Sequence, residues 1–156
     1  MKTQARVVVI GGGVVGVGTL YHLAKKGWSD VVLIERKELT SGSTWHAAGL
    51  LPLFNMSYSV GQIHRYSVNL YRSLEEETGQ PVGFAQVSNI RLARTRDRWD
   101  EFIYYKGVAD TIGVKDNVLT PAQVKEIWPL CETDGIIGAI QHPDDGYIQP
   151  ADLTQA

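Results

Sequence analysis

The apolar positions near the start of the chain change period twice. Residues 6–10, Arg-Val-Val-Val-Ile, form a β-branched run without alternation, the pattern of a strand covered on both faces in a parallel sheet, and the run ends in glycines. Val14, Val17, Leu20, Tyr21 and Ala24 then recur at helical spacing, which predicts a helix over residues 14–26 with Gly27 where a C-terminal cap belongs. A second unbroken apolar run, Val31-Val-Leu-Ile, predicts a second buried strand closing on Glu35. Together the three elements make a β-α-β unit.

Further along the pattern is less regular. Residues 40–49, TSGSTWHAAG, carry the hydroxyls and glycines of a loop, with a short helix expected to begin at Trp45-His46-Ala47-Ala48. Val60, Ile63, Ser67, Leu70, Tyr71 and Leu74 follow a 3.6-residue period, so an amphipathic helix is expected up to Glu75-Glu76-Glu77, before Gly79. Residues 87–93 alternate weakly, with Ile90 and Leu92 opposed to Arg91, as in a half-exposed strand. Thr95 is placed to cap a helix that carries Trp99, Phe102, Ile103, Ala109 and Ile112 on one side and stops at Gly113. Thr120-Pro-Ala-Gln123 combines a capping residue, a proline at the first helical position and a glutamine three residues after the cap, and predicts a short helix to Trp128. A strand over residues 135–140, a turn at Asp144-Asp145-Gly146 and one helical turn from Pro150 complete the reading, with no internal repeat and no linker-like stretch.

Composition narrows the class. The chain has 156 residues, 44% hydrophobic and 21% charged, which excludes disordered, collagen-like and low-complexity chains. A compact domain of this size buries roughly 68–70% of its unfolded surface, so a real core is possible. Fifteen basic against seventeen acidic residues leave a net charge of −2 and no global positive field for nucleic acid or anionic lipid. Cys131 is the single cysteine, which excludes an internal disulfide and suits a reducing compartment. No two histidines stand four residues apart, so a metal site has no support.

One stretch imitates a targeting segment. Residues 7–20 are apolar and follow Lys2 and Arg6, but five of these fourteen residues are glycine and Lys25 and Lys26 follow in place of a small-residue cleavage site. Only five residues precede Arg6, too few for a mitochondrial presequence, and no run is long enough to span a membrane. The expected location is cytoplasmic. Two strands that want neighbours on both sides lack a third βα unit, and the last helix ends after about one turn. The expectation is therefore an incomplete part of a larger fold.

Gly11-Gly12-Gly13-Val14-Val15-Gly16 has the G-x-G-x-x-G spacing, directly after a strand and at the start of a helix. In that context the first glycine permits a tight turn, the second lets a pyrophosphate approach the backbone, and the third allows close helix-to-strand packing, while the helix N-terminus offers N–H groups. Glu35 lies nineteen residues beyond Gly16 at the end of the second strand, where a carboxylate can accept the hydroxyl hydrogens of an adenosine ribose and disfavour a 2′-phosphate. The unit alone leaves NAD and FAD open, because both use it. Ser41-Gly42-Ser43-Thr44, six residues past Glu35, lies beside the same cofactor, with hydroxyls suited to phosphate and ribitol oxygens.

The run ELTSGSTWHAAGL over residues 38–50, the glycine unit, and the later LEEETGQ and HPDDGYIQP stretches resemble dimethylglycine dehydrogenase and sarcosine dehydrogenase, D-amino-acid-oxidase-like flavoproteins. The resemblance covers essentially the whole chain, and STWHAAG is far more specific than the glycine motif. It implies an α/β fold in which a Rossmann-like FAD-binding βαβ unit is followed by helices and a few strands. Residues 1–156 would then be the N-terminal part of one FAD-dependent oxidoreductase domain, with 1–50 as dinucleotide unit and flavin loop and 51–156 as a helical region that begins the substrate side. It also implies that FAD is carried covalently on His46 through the 8α-methyl group, and that an N-methylated amino acid such as dimethylglycine or sarcosine is oxidised by hydride transfer to flavin N5. Tetrahydrofolate is implied only where a further domain exists. The electron acceptor, the oligomeric state and a general base are not specified. The candidate cofactor-binding set is Gly11, Gly13, Val14, Val15, Gly16, Glu35, Arg36, Ser43, Thr44, His46 and Gly49.

A cofactor-holding subunit without catalysis of its own and an NAD-dependent dehydrogenase remain alternative readings. His22 and His64 read as surface or interface histidines on helices. His142 lies in the stretch that resembles a family segment near the substrate face, and the chain departs from that segment's frequent acidic residue at Gln149. Arg91, Arg94, Arg96 and Arg98 read as a solvated basic face.

Overall fold

The computed structural model describes residues 3–156; Lys2, half of the basic flank noted above, lies outside the described residues. In chain order the elements are β1 (Val7–Ile10), α1 (Val14–Lys25), β2 (Val31–Ile34), a 3-10 turn (Thr44–His46), β3 (Leu50–Leu51), α2 (Tyr58–Thr78), β4 (Ala85–Gln86), β5 (Asn89–Ala93), α3 (Arg96–Ile112), β6 (Asn117–Leu119), α4 (Pro121–Ile127), β7 (Gly138–His142), β8 (Gly146–Tyr147) and α5 (Pro150–Gln155). They fall into two compact units. The first comprises Met1–Gly49, Ser73–Gly83 and Ile148–Ala156, and the second Leu50–Arg72 and Phe84–Tyr147.

In the first unit β1 and β2 pair in parallel, Val7 opposite Val31 through Ile10 opposite Ile34, joined by α1 as the β-α-β reading requires. α1 ends where Gly27 takes a left-handed φ of 82° that a residue with a β-carbon would adopt at a cost. The expectation that both strands are covered on both faces is corrected. α1 packs on the two strands, while alternate side chains on β1 point away from it, so that Val8 is 49% and Ile10 86% exposed. The helix expected to begin at Trp45 is a single 3-10 turn begun by Thr44, and it stops because Ala47 is extended.

In the second unit β5, β7 and β6 form an antiparallel sheet in that order, with Asn89 opposite His142 and Arg91 opposite Ile140. Phe102, Tyr105, Ala109 and Ile112 of α3 make its core with Leu53, Val68 and Ile140. A second cluster joins Leu119, Val124 of α4, Cys131 and Ala139. β3, β8 and β4 form a separate small sheet. The caps are where the sequence puts them: Thr95 Oγ1 accepts the Arg98 N–H at 3.3 Å, Gly113 closes α3 with φ 81°, and Thr120 and Gln123 form a reciprocal capping box on α4.

The helical faces are less regular than the periodicity predicted. On α2, Gly61 and Val68 are buried while Ile63 is 63% exposed, because a β-carbon on Gly61 would lie 2.4 Å from Ile112 Cδ1 and the helix approaches α3 along that line. Tyr105 takes the buried place on α3 that Ile103, 47% exposed, was expected to fill. The strand expected over residues 135–140 is Gly138–His142, after a turn in which Gly135 has φ 72°. β5 begins at Asn89 because the N–H groups of Val87 and Ser88 go to the Asp145 carbonyl instead of joining that ladder.

Candidate functional site

The β1–α1 turn is built from glycines with three different reasons for lacking a side chain. Gly11 has φ 110° and open space around the position of a β-carbon, so it supplies both the turn and an unobstructed backbone. A β-carbon on Gly16 would lie 1.9 Å from the Gly11 carbonyl oxygen, which is the helix-to-strand packing expected of the third glycine. Gly13 differs from expectation. The space beside it, expected to admit a pyrophosphate, holds the Thr44 hydroxyl, 2.9 Å from where a β-carbon would be.

Gly12, which sequence reasoning passed over as the variable position of the motif, ties the turn together. Its N–H donates to Glu35 Oε2 at 2.7 Å, and its carbonyl accepts the Thr40 N–H at 2.9 Å. A β-carbon there would lie 2.6 Å from Leu39 Cδ2 and 3.0 Å from Glu35 Cβ. Three consecutive glycines were the available signal, since the motif itself asks for only two of them. Thr40 pays for its contact with a left-handed φ of 68°, uncommon for a β-branched residue.

Glu35 Oε1 also accepts the Lys37 N–H at 2.9 Å. These bonds, the one from Gly12 first, hold its carboxyl below the ordinary value. The carboxylate is thus ionised and fixed in direction, with acceptor capacity left for hydroxyl groups. Residues of this turn, the end of β2 and the following loop line an open cavity of about 620 Å³. Nine of the eleven candidate residues are among its walls: Gly11, Gly13, Val14, Val15, Gly16, Glu35, Arg36, Ser43 and Thr44. Ser41 and Gly42 join them.

His46 and Gly49 are not in that wall. Gly49 has φ 70° and pairs with Ile148, whose N–H donates to its carbonyl at 2.8 Å, so its conformation has a structural cause. His46 is exposed, its ring 3.8 Å from that of Trp45 and tilted by 34°. Its Nδ1 lies 3.1 Å from the Gly42 carbonyl oxygen. A carbonyl only accepts, so Nδ1 carries a proton in this contact, which in the neutral tautomer leaves the lone pair on Nε2.

The residues fit a dinucleotide. Open backbone at Gly11, the first turn of α1 with N–H groups that have no carbonyl one turn earlier, an oriented carboxylate and the hydroxyl-bearing Ser41, Ser43 and Thr44 line one cavity.

The second unit holds a buried polar cluster that the sequence did not disclose. Arg91 is not part of the solvated basic face; its guanidinium lies over the Phe54 ring at 4.4 Å. His142 is fully buried, with Nε2 3.1 Å from the Tyr105 hydroxyl, which donates to the Leu53 carbonyl at 3.2 Å. Asp145 Oδ1 accepts the Leu53 N–H at 2.9 Å. Burial, ahead of Arg91, pushes His142 down to about 4, and burial pushes Asp145 up to about 6. The period-2 pattern put Arg91 opposite Ile90 and Leu92 correctly, but both faces of this sheet are covered. His64 half-buries its Nδ1 against the Pro52 carbonyl at 3.1 Å, and His22 sets Nδ1 2.6 Å from the Gly18 carbonyl.

A dinucleotide-binding β-α-β unit with a hydroxyl-rich loop closing on its glycine turn defines the class. Residues 6–156 match the FAD dependent oxidoreductase family, DAO, and the chain belongs to that family. It is 48% identical over 155 residues to mitochondrial dimethylglycine dehydrogenase of Rattus norvegicus, covering 99% of this chain and 18% of that protein. It is 42% identical over 152 residues to mitochondrial sarcosine dehydrogenase of Homo sapiens, covering 97% of this chain and 17% of the relative. Among solved structures, L-proline dehydrogenase from P. horikoshii superposes with a TM-score of 0.90 at 30% identity, over 99% of this chain and 41% of the other. The chain therefore spans about 18% of the length of the curated relative it matches at 48% identity. No helix of the described residues is long and apolar enough to cross a membrane.

Proposed function

We propose that this chain is the cofactor-holding part of an FAD-dependent amine dehydrogenase that oxidises an N-methylated amino acid such as dimethylglycine or sarcosine. The observation that carries the reading is the placing of Thr44 and His46 on one 3-10 turn whose first residue bonds the first N–H of α1 at 3.0 Å. The high identity to dimethylglycine and sarcosine dehydrogenases supports the substrate class.

In this reading the Gly11, Gly13 and Gly16 turn and the Val15 N–H hold the pyrophosphate, with Val14 beside them and its own N–H taken by Thr44 Oγ1, and Glu35 takes the ribose hydroxyls, with Arg36 beside it. Ser43 and Thr44 face phosphate or ribitol oxygens, Gly49 shapes the return of the loop, and His46 is the covalent attachment point through Nε2. FAD, when bound, supplies the two-electron oxidation of the N-methyl carbon by accepting a hydride. What these residues do is hold the dinucleotide at one end and fix the imidazole at the other. Residues 1–156 then belong to one oxidoreductase domain, and tetrahydrofolate enters only where a further domain exists.

Anaerobic mixing of the full-length, FAD-loaded protein with dimethylglycine or sarcosine tests the assignment. Loss of the blue flavin absorbance with N-methylated amino acids, and slower loss with glycine, is expected. Flavin that stays oxidised with every N-methylated amino acid, or that glycine reduces fastest, overturns it.

A further inference from the structure

α1 begins without a side-chain cap of its own. Its N-cap is Gly13, which has no side chain to offer, and its first turn contains no acidic residue. The missing acceptor comes from thirty residues later: Thr44 Oγ1 accepts the Val14 N–H at 3.0 Å. Thr44 is itself buried, at 9% exposure, and its hydroxyl sits where a β-carbon on Gly13 would intrude. A second tie, from the Thr40 N–H to the Gly12 carbonyl at 2.9 Å, fastens the other end of the same loop segment. Gly42 lies between these two ties, and its carbonyl is the one that receives His46 Nδ1. Thr44 is also the first residue of the turn that carries His46, and the Ala47 N–H closes that turn on the Thr44 carbonyl at 3.1 Å.

We infer that Thr44 is a positioning residue: by capping α1 with its hydroxyl it fixes the direction of the His46 imidazole relative to the glycine turn. The inference rests on the proposed attachment of FAD at His46 and says what sets its rate. Attachment forms one N–C bond at His46 Nε2 and breaks one C–H bond of the 8α-methyl group. The proton leaves to solvent, and the electron pair stays on the flavin until an acceptor such as dioxygen removes it. The imidazole must be neutral and aimed, and a misplacement of about 1 Å is enough to slow a positioned reaction roughly a hundredfold. Gly42 secures the tautomer; Thr44 secures the place of the turn. A side chain that merely packed would be replaced well by valine, which matches threonine in shape and lacks the acceptor.

The test uses the full-length protein, produced without flavin and then supplied with FAD under air. Thr44→Val and Thr44→Ser are compared with the unmodified protein for total flavin bound and for the fraction that stays with the protein after acid precipitation. Measured at saturating FAD and counted per flavin bound, Thr44→Val is expected to slow acid-stable attachment about tenfold or more, and Thr44→Ser to restore it to within about threefold. Acid-stable attachment at the unmodified rate in Thr44→Val overturns the inference and leaves the attachment reading intact. If the unmodified protein releases all its flavin in acid, the attachment reading fails on its own. Hydrogen exchange at the Val14 amide then decides whether Thr44 places the loop: faster exchange in Thr44→Val than in Thr44→Ser supports the cap, and equal exchange overturns it.

Discussion

A β-carbon on Gly16 would lie 1.9 Å from the carbonyl oxygen of Gly11. The closeness joins the first turn of α1 to the end of β1 and leaves the glycine turn a single shape. Gly16→Ala is expected to destabilise by about 1–3 kcal/mol through overpacking and to weaken FAD retention with it. Gly18→Ala, two residues on in the same helix with open space around the new methyl, is expected to be neutral or stabilising by about 0.5–1 kcal/mol. Thermal unfolding and FAD titration of the two variants check this; equal behaviour would remove the packing role from Gly16.

Glu35 makes two backbone bonds and is assigned the ribose besides. Glu35→Ala is expected to weaken non-covalent FAD binding, because the ribose hydroxyls lose a charged acceptor. Glu35→Gln keeps an oxygen for the Gly12 N–H and is expected to lose less. Binding of FAD to apoprotein followed by fluorescence separates the three, and an unchanged affinity in Glu35→Ala would take the ribose away from this residue.

The β-α-β unit and the helix caps were legible because their causes are local. Thr120 and Gln123 are three residues apart, and Gly16 lies five residues from the carbonyl it packs on. The short strands were not legible, because Leu50 and Ala85 both pair with Tyr147 across long stretches of chain, and two residues carry no period. The same distance hid Arg91: its neighbours are Phe54 and, from a second distant stretch, His142 and Asp145. In the glycine turn the motif was readable, but not that Thr44 fills the space beside Gly13 or that Gly12 joins Glu35 to Thr40.

His142 and Asp145 give the second unit two opposed pH dependences. Asp145, raised from 3.8 to about 6, contributes stability that is full below its unfolded value and lost as pH rises through 6. His142, lowered from 6.5 to about 4, contributes stability that is full above its unfolded value and lost as pH falls toward 4. Each shift is worth about 3 kcal/mol across that window, so the two largely offset between pH 4 and 6. His142→Asn should therefore leave a protein whose melting temperature falls as pH rises from 4 to 6, and Asp145→Asn one whose melting temperature falls as pH drops from 6.5 to 4. Melting curves of both variants with the same pH dependence as the unmodified protein would show that neither group titrates differently on unfolding.

In the proposed reading FAD lies in the glycine cavity and is joined to this chain at His46. The most direct measurement is the mass of the proteolytic peptide that contains His46, taken from full-length protein loaded with FAD, precipitated in acid and digested. This peptide is expected to carry the added mass of the flavin, and in His46→Ala the yellow colour is expected to move to the acid supernatant while non-covalent binding persists. An unmodified His46 peptide, with all flavin released by acid from the unmutated protein, would contradict it.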